Sequence, residues 1–267
     1  MQGYIGFFDI LGYRSFLRNN SATESAQSVL KLISSIDQRV LKRNTPVGMS
    51  DTQKARFESM RTNTNWLIFS DTILLTIQIE EGLSKDEHAY RAMYFLMHCA
   101  SVVSEMFLDG LPVRGALHWG SYVFEQTCIA GTGIVECYDM CSGIELSTAC
   151  VSDSCMEHLT EAASVAAMWK ALLHAFVTPY LIPMKTGETK GHVLDWWLIA
   201  EPRLDESIRV DIDQAVWSAF WKHGKDISTT VDSKVLNTIK LARFHATRRK
   251  KKSKASGLTN SPATPAK

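Results

Sequence analysis

Hydrophobic and polar positions alternate along the chain in blocks that define most of its elements. Residues 4–11 form an apolar run broken only by Gly6 and Asp9, the pattern of a buried central strand, and Gly12 supplies a turn after it. Ser21 and Glu24 have capping-box spacing, and Ala26, Val29, Leu30, Ile33, Ile36 and Val40 then recur at helical period, predicting a helix to about Lys42. Residues 43–63 are polar, contain Pro46 and Gly48, and read as a loop. Trp66–Phe69 and Thr72–Ile79 are two β-rich stretches joined by Ser70-Asp71, a hairpin with that dipeptide at its tip.

Ser84 and Glu87 open a second helix, carried by Tyr90, Met93, Tyr94, Met97, Ala100, Val103 and Phe107 and ended near Gly110. Val113–Leu117 is a further strand closed by Gly120. A short helix follows Gly131-Thr-Gly133 and runs to about Ser142; Glu145–Val151 reads as a strand and 155–175 as a helix. Pro179–Lys185 and His192–Leu198 read as a closing hairpin, and 206–223 and 229–247 as helices. No internal repeat is visible. This order predicts an α+β sandwich, with helices on one side of a mostly antiparallel sheet and a helical extension at the C-terminus.

Composition narrows the function classes. The chain has 267 residues, 45% of them hydrophobic, enough for a sizeable core. No apolar run approaches membrane-spanning length, and the apolar N-terminus lacks the basic flank and cleavage site of a signal peptide. The six cysteines form no CxxC pair and no zinc spacing with histidine, so they read as reduced, mostly buried thiols of a cytoplasmic protein. The net charge of +1 conceals an asymmetry. Residues 248–267 hold seven of the 29 Lys and Arg and no acid, so the first 247 residues carry 22 basic against 28 acidic groups. That excludes a globally basic nucleic-acid binder. The tail beginning Arg248-Arg249-Lys250 is expected to be disordered and solvated, without a specific nucleic-acid partner.

The chemistry points to two carboxylates. Asp9 interrupts an apolar strand, and burying an unpaired carboxylate costs several kcal/mol on the order of a lost ion pair, so it needs a counter-charge. Asp71 stands at a hairpin tip, also between apolar runs. Facing each other across strand ends, the pair would suit Mg²⁺ or Mn²⁺, which favour oxygen ligands and bridge to phosphates. Taken singly, Asp9 also fits a buried ion pair and Asp71 a turn-forming aspartate.

Three segments carry a family resemblance. Phe8-Asp9-Ile10-Leu11-Gly12-Tyr13 resembles the first-strand motif of class III nucleotidyl cyclases. Phe69-Ser70-Asp71-Thr72 resembles their hairpin motif with the second metal aspartate. Val113-Arg114-Gly115-Ala116-Leu117-His118-Trp119-Gly120 resembles a later strand pattern. The three occur in the family's order over about residues 1–150. The resemblance implies a ferredoxin-like cyclase domain working as a homodimer with active sites at the interface. It implies two divalent cations held by Asp9, Asp71 and the backbone carbonyl of Ile10, and phosphates cradled by the amides of Leu11, Gly12 and Tyr13. It also implies in-line attack of the ribose 3′-hydroxyl on the α-phosphorus, with diphosphate leaving.

Two departures qualify that resemblance. The lysine that reads adenine in homodimeric adenylate cyclases is replaced by Leu67, which places Leu67 in the base pocket. The Asn-x-x-x-Arg pair that supports the transition state has no match within 131–140. Arg14, Arg114 and Lys185 are the candidate replacement cations, with Arg114 foremost because it lies on a core strand. A hydrogen-bonded core histidine is the plainer reading of His118, and hairpin packing that of Trp196-Trp197. Over residues 1–245 the chain resembles the pyrimidine cyclases of bacterial Pycsar antiphage systems. The further matching segments are Leu181–Lys185, Asp195-Trp196-Trp197 and Lys234–Thr238. That resemblance implies UTP or CTP as substrate, with a lean to UTP, and a cyclic product that activates a downstream effector. A purine cyclase with an unusual base pocket and a catalytically inactive nucleotide-binding module are the alternatives. The expected organisation is a catalytic domain over 1–200, a packed helical extension over 201–247 and the basic tail over 248–267.

Overall fold

A computed structural model of the chain describes residues 1–20, 24–44, 48, 50–126, 128–206, 209, 211–224 and 229–255. Its first half is a β-α-β-β-α-β unit. Strand β1 (Gln2–Ile10) is followed by helices α1 (Tyr13–Asn19), α2 (Glu24–Ser34), α3 (Ile36–Asn44) and α4 (Asp51–Thr62). The hairpin β2 (Thr64–Phe69) and β3 (Thr72–Gln78), the long helix α5 (Lys85–Leu108) and strand β4 (Val113–Ser121) complete the unit. The second half adds β5 (Val123–Glu125), β6 (Cys128–Ala130), α6 (Thr132–Gly143), β7 (Ala149–Val151), α7 (Asp153–Ala163) and α8 (Ala167–Phe176). It ends with β8 (Val177–Met184), β9 (Gly187–Leu194), α9 (Trp197–Ala200), α10 (Ile212–Trp221) and α11 (Thr229–Ala255).

Seven strands form one sheet in the order β2-β3-β1-β4-β7-β9-β8, and every pairing is antiparallel except β4 with β7. Strands β2-β3-β1-β4 reproduce the ferredoxin-like arrangement. The α+β class expected from the sequence is therefore the one observed, with C-terminal helices added.

Period-2 alternation on β1 sorts its side chains between two cores. Tyr4, Phe8 and Ile10 enter the main core, whereas Ile5 and Phe7 point to a smaller cluster beneath α6. The main core is built around α5. From Arg91 to Phe107 every residue of this helix except Met97 is buried. It lies against β1, β3 and β4 and is flanked by α3, α7, α8 and α9. On the opposite face α6 covers β1 and β4, and Leu241 of α11 joins Ile144, Leu146, Cys150, Ile182 and Val193. Close approach at the centre requires Gly115, where a Cβ would sit 2.5 Å from the Phe8 ring.

Several local expectations are corrected. The polar stretch 43–63 is not all loop, because α4 begins at a reciprocal cap. Gln53 N–H donates to Ser50 Oγ at 3.3 Å and Ser50 N–H to Gln53 Oε1 at 2.9 Å, while only Phe57 and Met60 are buried. The single helix to Lys42 is broken at Ser35, whose hydroxyl donates to the carbonyls of Lys31 and Leu32, an alternative to the helical ladder. Ser21 of the first expected capping box lies outside the described residues. The stretch 155–175 divides into α7 and α8, and the strand at 145–151 shortens to β7.

The last helix runs past 247 to Ala255, so the start of the basic run is helical. There Arg248 donates to the His174 carbonyl at 2.9 Å and contacts Thr178, and Arg249 pairs with Glu201 at 2.7 Å. The closing hairpin is Val177–Met184 with Gly187–Leu194 rather than a second strand over 192–198, so Trp196 and Trp197 fall after it, at the start of α9, where they are wholly buried against Phe107 of α5.

Candidate active site

Asp9 and Asp71 meet because of strand register. In the β1–β3 pairing Asp9 stands opposite Thr72, and the Ile10 amide donates to the Asp71 carbonyl at 3.0 Å. Ser70 takes a left-handed conformation (φ 55°) to turn the hairpin tip back toward β1. On the other side of β1, Asp9 stands opposite Arg114 of β4. All three therefore gather at one end of the central strands. They line a cleft of about 290 Å³ together with Ile10, Leu11, Gly12, Tyr13, Arg14, Lys185 and Lys234.

The counter-charge that Asp9 requires comes first from Arg114. Its guanidinium contacts Asp9 Oδ2 through Nε at 2.9 Å and Nη2 at 2.8 Å, and Nη1 donates to the Ser142 carbonyl at 3.0 Å. Both contacts to Asp9 use Oδ2, so the guanidinium leaves Oδ1 to other partners. The Asp9 carboxyl nevertheless stays above its ordinary pKa. Burial raises it most, Arg114 pulls it back by charge and hydrogen bond, and the neighbouring Asp71 pushes it up again. Arg114, with a weaker pull from Lys185, thus leaves the Asp9 carboxyl short of positive charge.

A divalent cation fits this deficit. The donors are two carboxylates, hard oxygen ligands suited to Mg²⁺ or Mn²⁺. Among the described residues no three His, Cys, Asp or Glu side chains gather around one point. Two protein carboxylates with substrate phosphates completing the shell is the pattern expected for Mg²⁺ at a nucleotide site, rather than an all-protein cage.

The phosphate cradle is narrower than the resemblance implies. The Leu11 amide donates to the Pro112 carbonyl at 2.9 Å and is already committed. Gly12 holds φ 78° ahead of α1 without a side-chain cap, which leaves the first-turn amides beginning at Tyr13 as the remaining donors. Tyr13 itself is buried against Phe16. Burial and the charge of Asp71 raise its hydroxyl's pKa, and a hydrogen bond with Ser70 opposes them.

Other candidates are placed elsewhere. Leu67 lies on the edge strand β2, paired with Leu74 and packed on the Ile5–Ala116 cluster, and it does not line the cleft. His118 bonds Glu136 at 2.8 Å and Ser152 at 3.1 Å, joining β4 to α6 and α7, and burial lowers its pKa. Five cysteines are buried and Cys128 is exposed. Burial pushes the Cys141 thiol to about 12 and raises that of Cys99 well above its ordinary value, so neither is a nucleophile. Sequence reading did not place Lys234 or Val231 at the cleft; both come from α11.

The chain matches no protein-family model and no curated protein. Among solved structures it is similar to the catalytic core of a rhodopsin-guanylyl cyclase with converted specificity in complex with ATPαS. The TM-score is 0.44 at 13% identity, covering 72% of this chain and 94% of that one. It is similar to the guanylyl cyclase domain of the RhoGC fusion protein of the aquatic fungus Blastocladiella emersonii (TM-score 0.43, 13% identity, 70% and 96% covered). It is also similar to the adenylyl cyclase CyaB of P. aeruginosa (TM-score 0.40, 11% identity, 72% and 93% covered). No described helix is long and apolar enough to cross a membrane.

Proposed function

We propose that the chain is a nucleotidyl cyclase of the class III kind, converting a pyrimidine nucleoside triphosphate into its 3′,5′-cyclic nucleotide and diphosphate. The observation that carries this reading is the cleft that joins Asp9, Asp71, the Gly12 turn and Arg114, three motifs separated in sequence by tens of residues.

In this reading Asp9 and Asp71 hold two divalent cations, with the Ile10 carbonyl as a further ligand. Bound there, the cations lower the pKa of the ribose 3′-hydroxyl and offset charge on the phosphates. Arg114 fixes the Asp9 carboxylate through Oδ2 and favours its ionised form against burial and the charge of Asp71. The Gly12–Tyr13 turn directs amides toward the phosphates, and the burial of Tyr13 holds that turn in place. With the cradle fixed on β1 and the carboxylates on neighbouring strand ends, 3′-oxygen and α-phosphorus are aligned by position more than by any acid or base of the chain.

A pyrimidine substrate is supported by the absence of the adenine-reading lysine, replaced by Leu67, and by the resemblance of residues 1–245 to Pycsar cyclases; the lean to UTP over CTP has no residue behind it. An antiphage role, cytoplasmic location and an effector activated by the product belong to the same reading. A homodimer is supported by exposed apolar side chains, Phe69 (75% exposed) at the end of β2 and Val135 and Tyr138 on α6, which a second copy would cover.

The test incubates pure protein with each of the four nucleoside triphosphates and Mn²⁺ and identifies products by mass spectrometry. Cyclic UMP or cyclic CMP is expected. A cyclic purine product would move the substrate assignment, and the absence of every cyclic product would sink the reading.

A further inference from the structure

Helix α11 presents a basic stripe to solvent. At about 100° per residue, Leu236, Lys240, Arg243, Phe244, Lys250 and Lys251 fall within about one third of its circumference. All six are exposed, whereas Thr238, Leu241 and His245 on the opposite side are buried. No acid occurs in the chain after Asp232. The first 247 residues are acidic on balance, so the stripe is a local feature that draws a polyanion to one place.

The stripe is held rigidly by the body of the molecule. His245 Nδ1 lies 3.1 Å from Asp195 Oδ2, with the two side chains 0% and 3% exposed. The Ser147 amide donates to Thr238 Oγ1 at 2.9 Å, and Arg248 donates to the His174 carbonyl at 2.9 Å. Contacts along the inner side therefore fix which way the outer side faces. Of the outward cations, Arg243 pairs with Asp213 at 2.7 Å, an exposed ion pair of small worth.

An aromatic ring stands among the cations. Phe244 is 38% exposed, and its ring centroid lies 5.2 Å from that of Tyr180 on the edge strand β8, at an interplanar angle of 54°. Tyr180 braces one part of the ring and leaves the rest to solvent. Lys240 stands one turn before Phe244 and Lys251 two turns after it, so the lysines span about 16 Å of helix.

Cations spaced along a ridge with a flat apolar ring between them match a strand of phosphates that carries unpaired bases. An acidic lipid surface would also meet the charge, but Leu236 and Phe244 are little apolar area to insert beside it. A duplex keeps its bases stacked on each other and leaves Phe244 without a partner. From this arrangement we infer that the outward face of α11 binds single-stranded nucleic acid irrespective of sequence. Lys240, Lys250 and Lys251 pair with phosphates, and Phe244 stacks with a base. The inference does not rest on the cyclase reading, because the cleft is reached by the other end of the helix, at Val231.

The experiment follows fluorescence anisotropy of labelled oligouridylate, oligothymidylate and a mixed-sequence duplex with the full-length protein over a series of salt concentrations. Co-sedimentation with phosphatidylserine vesicles runs alongside. The proteins are wild type, the triple variant K240Q/K250Q/K251Q, F244A and F244W. Wild type should bind a single strand more tightly than the duplex. The triple variant should flatten the plot of log affinity against log salt by about 2, at about 0.7 for each phosphate contact on a single strand. F244A should weaken single-strand binding by about tenfold and F244W should restore it. The substituted side chains are exposed, so melting temperatures should not change. Where F244A melts lower, the salt slope of the triple variant decides the matter. A wild type that binds no single strand at low salt would overturn the inference. So would an unchanged slope in the triple variant, an unchanged affinity in a stably folded F244A, tighter binding to the duplex, or binding to the vesicles alone.

Discussion

Two acidic side chains, Asp9 (24% exposed) and Glu105 (6% exposed), both carry arginine partners and are provisioned in opposite ways. Glu105, on the core-buried α5, is ringed by three arginines. Arg203 approaches its two oxygens at 2.6 and 3.2 Å, Arg43 contacts Oε1, and Arg39 lies 3.6 Å away while also pairing with Asp109. Those arginines come from α3 and from the segment after α9, so the cluster ties the helical layer and the extension to the core. Asp9 has one arginine and a second carboxylate as its neighbour, and its pKa is raised. Where the fold needs only cohesion it surrounds an acid with positive charge. At the strand ends it leaves Asp9 under-compensated, the condition that the proposed cation site requires.

The largest expected effect would break this comparison if it failed. Asp9→Asn and Asp71→Asn should each lower turnover by about a thousandfold or more, since each removes a ligand for the charge that stabilises the reaction. Neither should lower the melting temperature in the absence of metal. The sign follows from the raised pKa of Asp9. The folded state holds its proton more tightly than the unfolded chain, so apo stability falls as pH rises through the raised folded value. Replacing the carboxyl with an amide removes that loss above this pH. Thermal melts at neutral pH, with and without Mn²⁺, check it; a large drop in the apo melting temperature would mean that Asp9 is a structural acid like Glu105.

Glu105→Ala should do the reverse. Leaving three guanidinium groups without their acid is expected to cost roughly 3 kcal/mol, with KM little changed in the protein that remains folded. Urea unfolding together with steady-state kinetics measures both.

A smaller effect sharpens the role of Arg114. Activity needs Asp9 ionised, so it should fall as pH drops through the raised pKa. Arg114→Met removes the group that lowers that pKa, and the acidic limb of the profile should move to higher pH. An unmoved limb in an active variant would separate Arg114 from Asp9.

The smallest effect concerns the C-terminus. Ending the chain after Ala255 should leave turnover and melting temperature unchanged. Ending it before Arg248 should lower the melting temperature, because the contacts to His174 and Glu201 are lost.

Much of this was legible in the sequence, for identifiable reasons. Asp9 and Asp71 stood out because each interrupts an apolar run that hydrophobic patterning assigns to strands, and the β2–β3 hairpin was set by the Ser-Asp dipeptide between two β-rich stretches. That Arg114 faces Asp9 was not legible, since it depends on the register of two strands separated by more than 100 residues. Helix α4 was missed because its stability rests on a cap and two buried side chains rather than an apolar stripe, although Ser50 and Gln53 carried the signal. Helix α1 is short and follows Gly12 without a side-chain cap. Lys234 belongs to a segment that carries the family likeness but has no local signature of chemistry. Only the packing of α11 over Glu145 and Ser147 brings it to the cleft.

The central claim is that Asp9 and Asp71 share a cation site, and Mn²⁺ binding tests it most directly. Titration of the wild type, followed by electron paramagnetic resonance with a non-hydrolysable pyrimidine triphosphate present, should show saturable binding that Asp9→Asn and Asp71→Asn each abolish. Equal binding by the wild type and both variants would contradict the account.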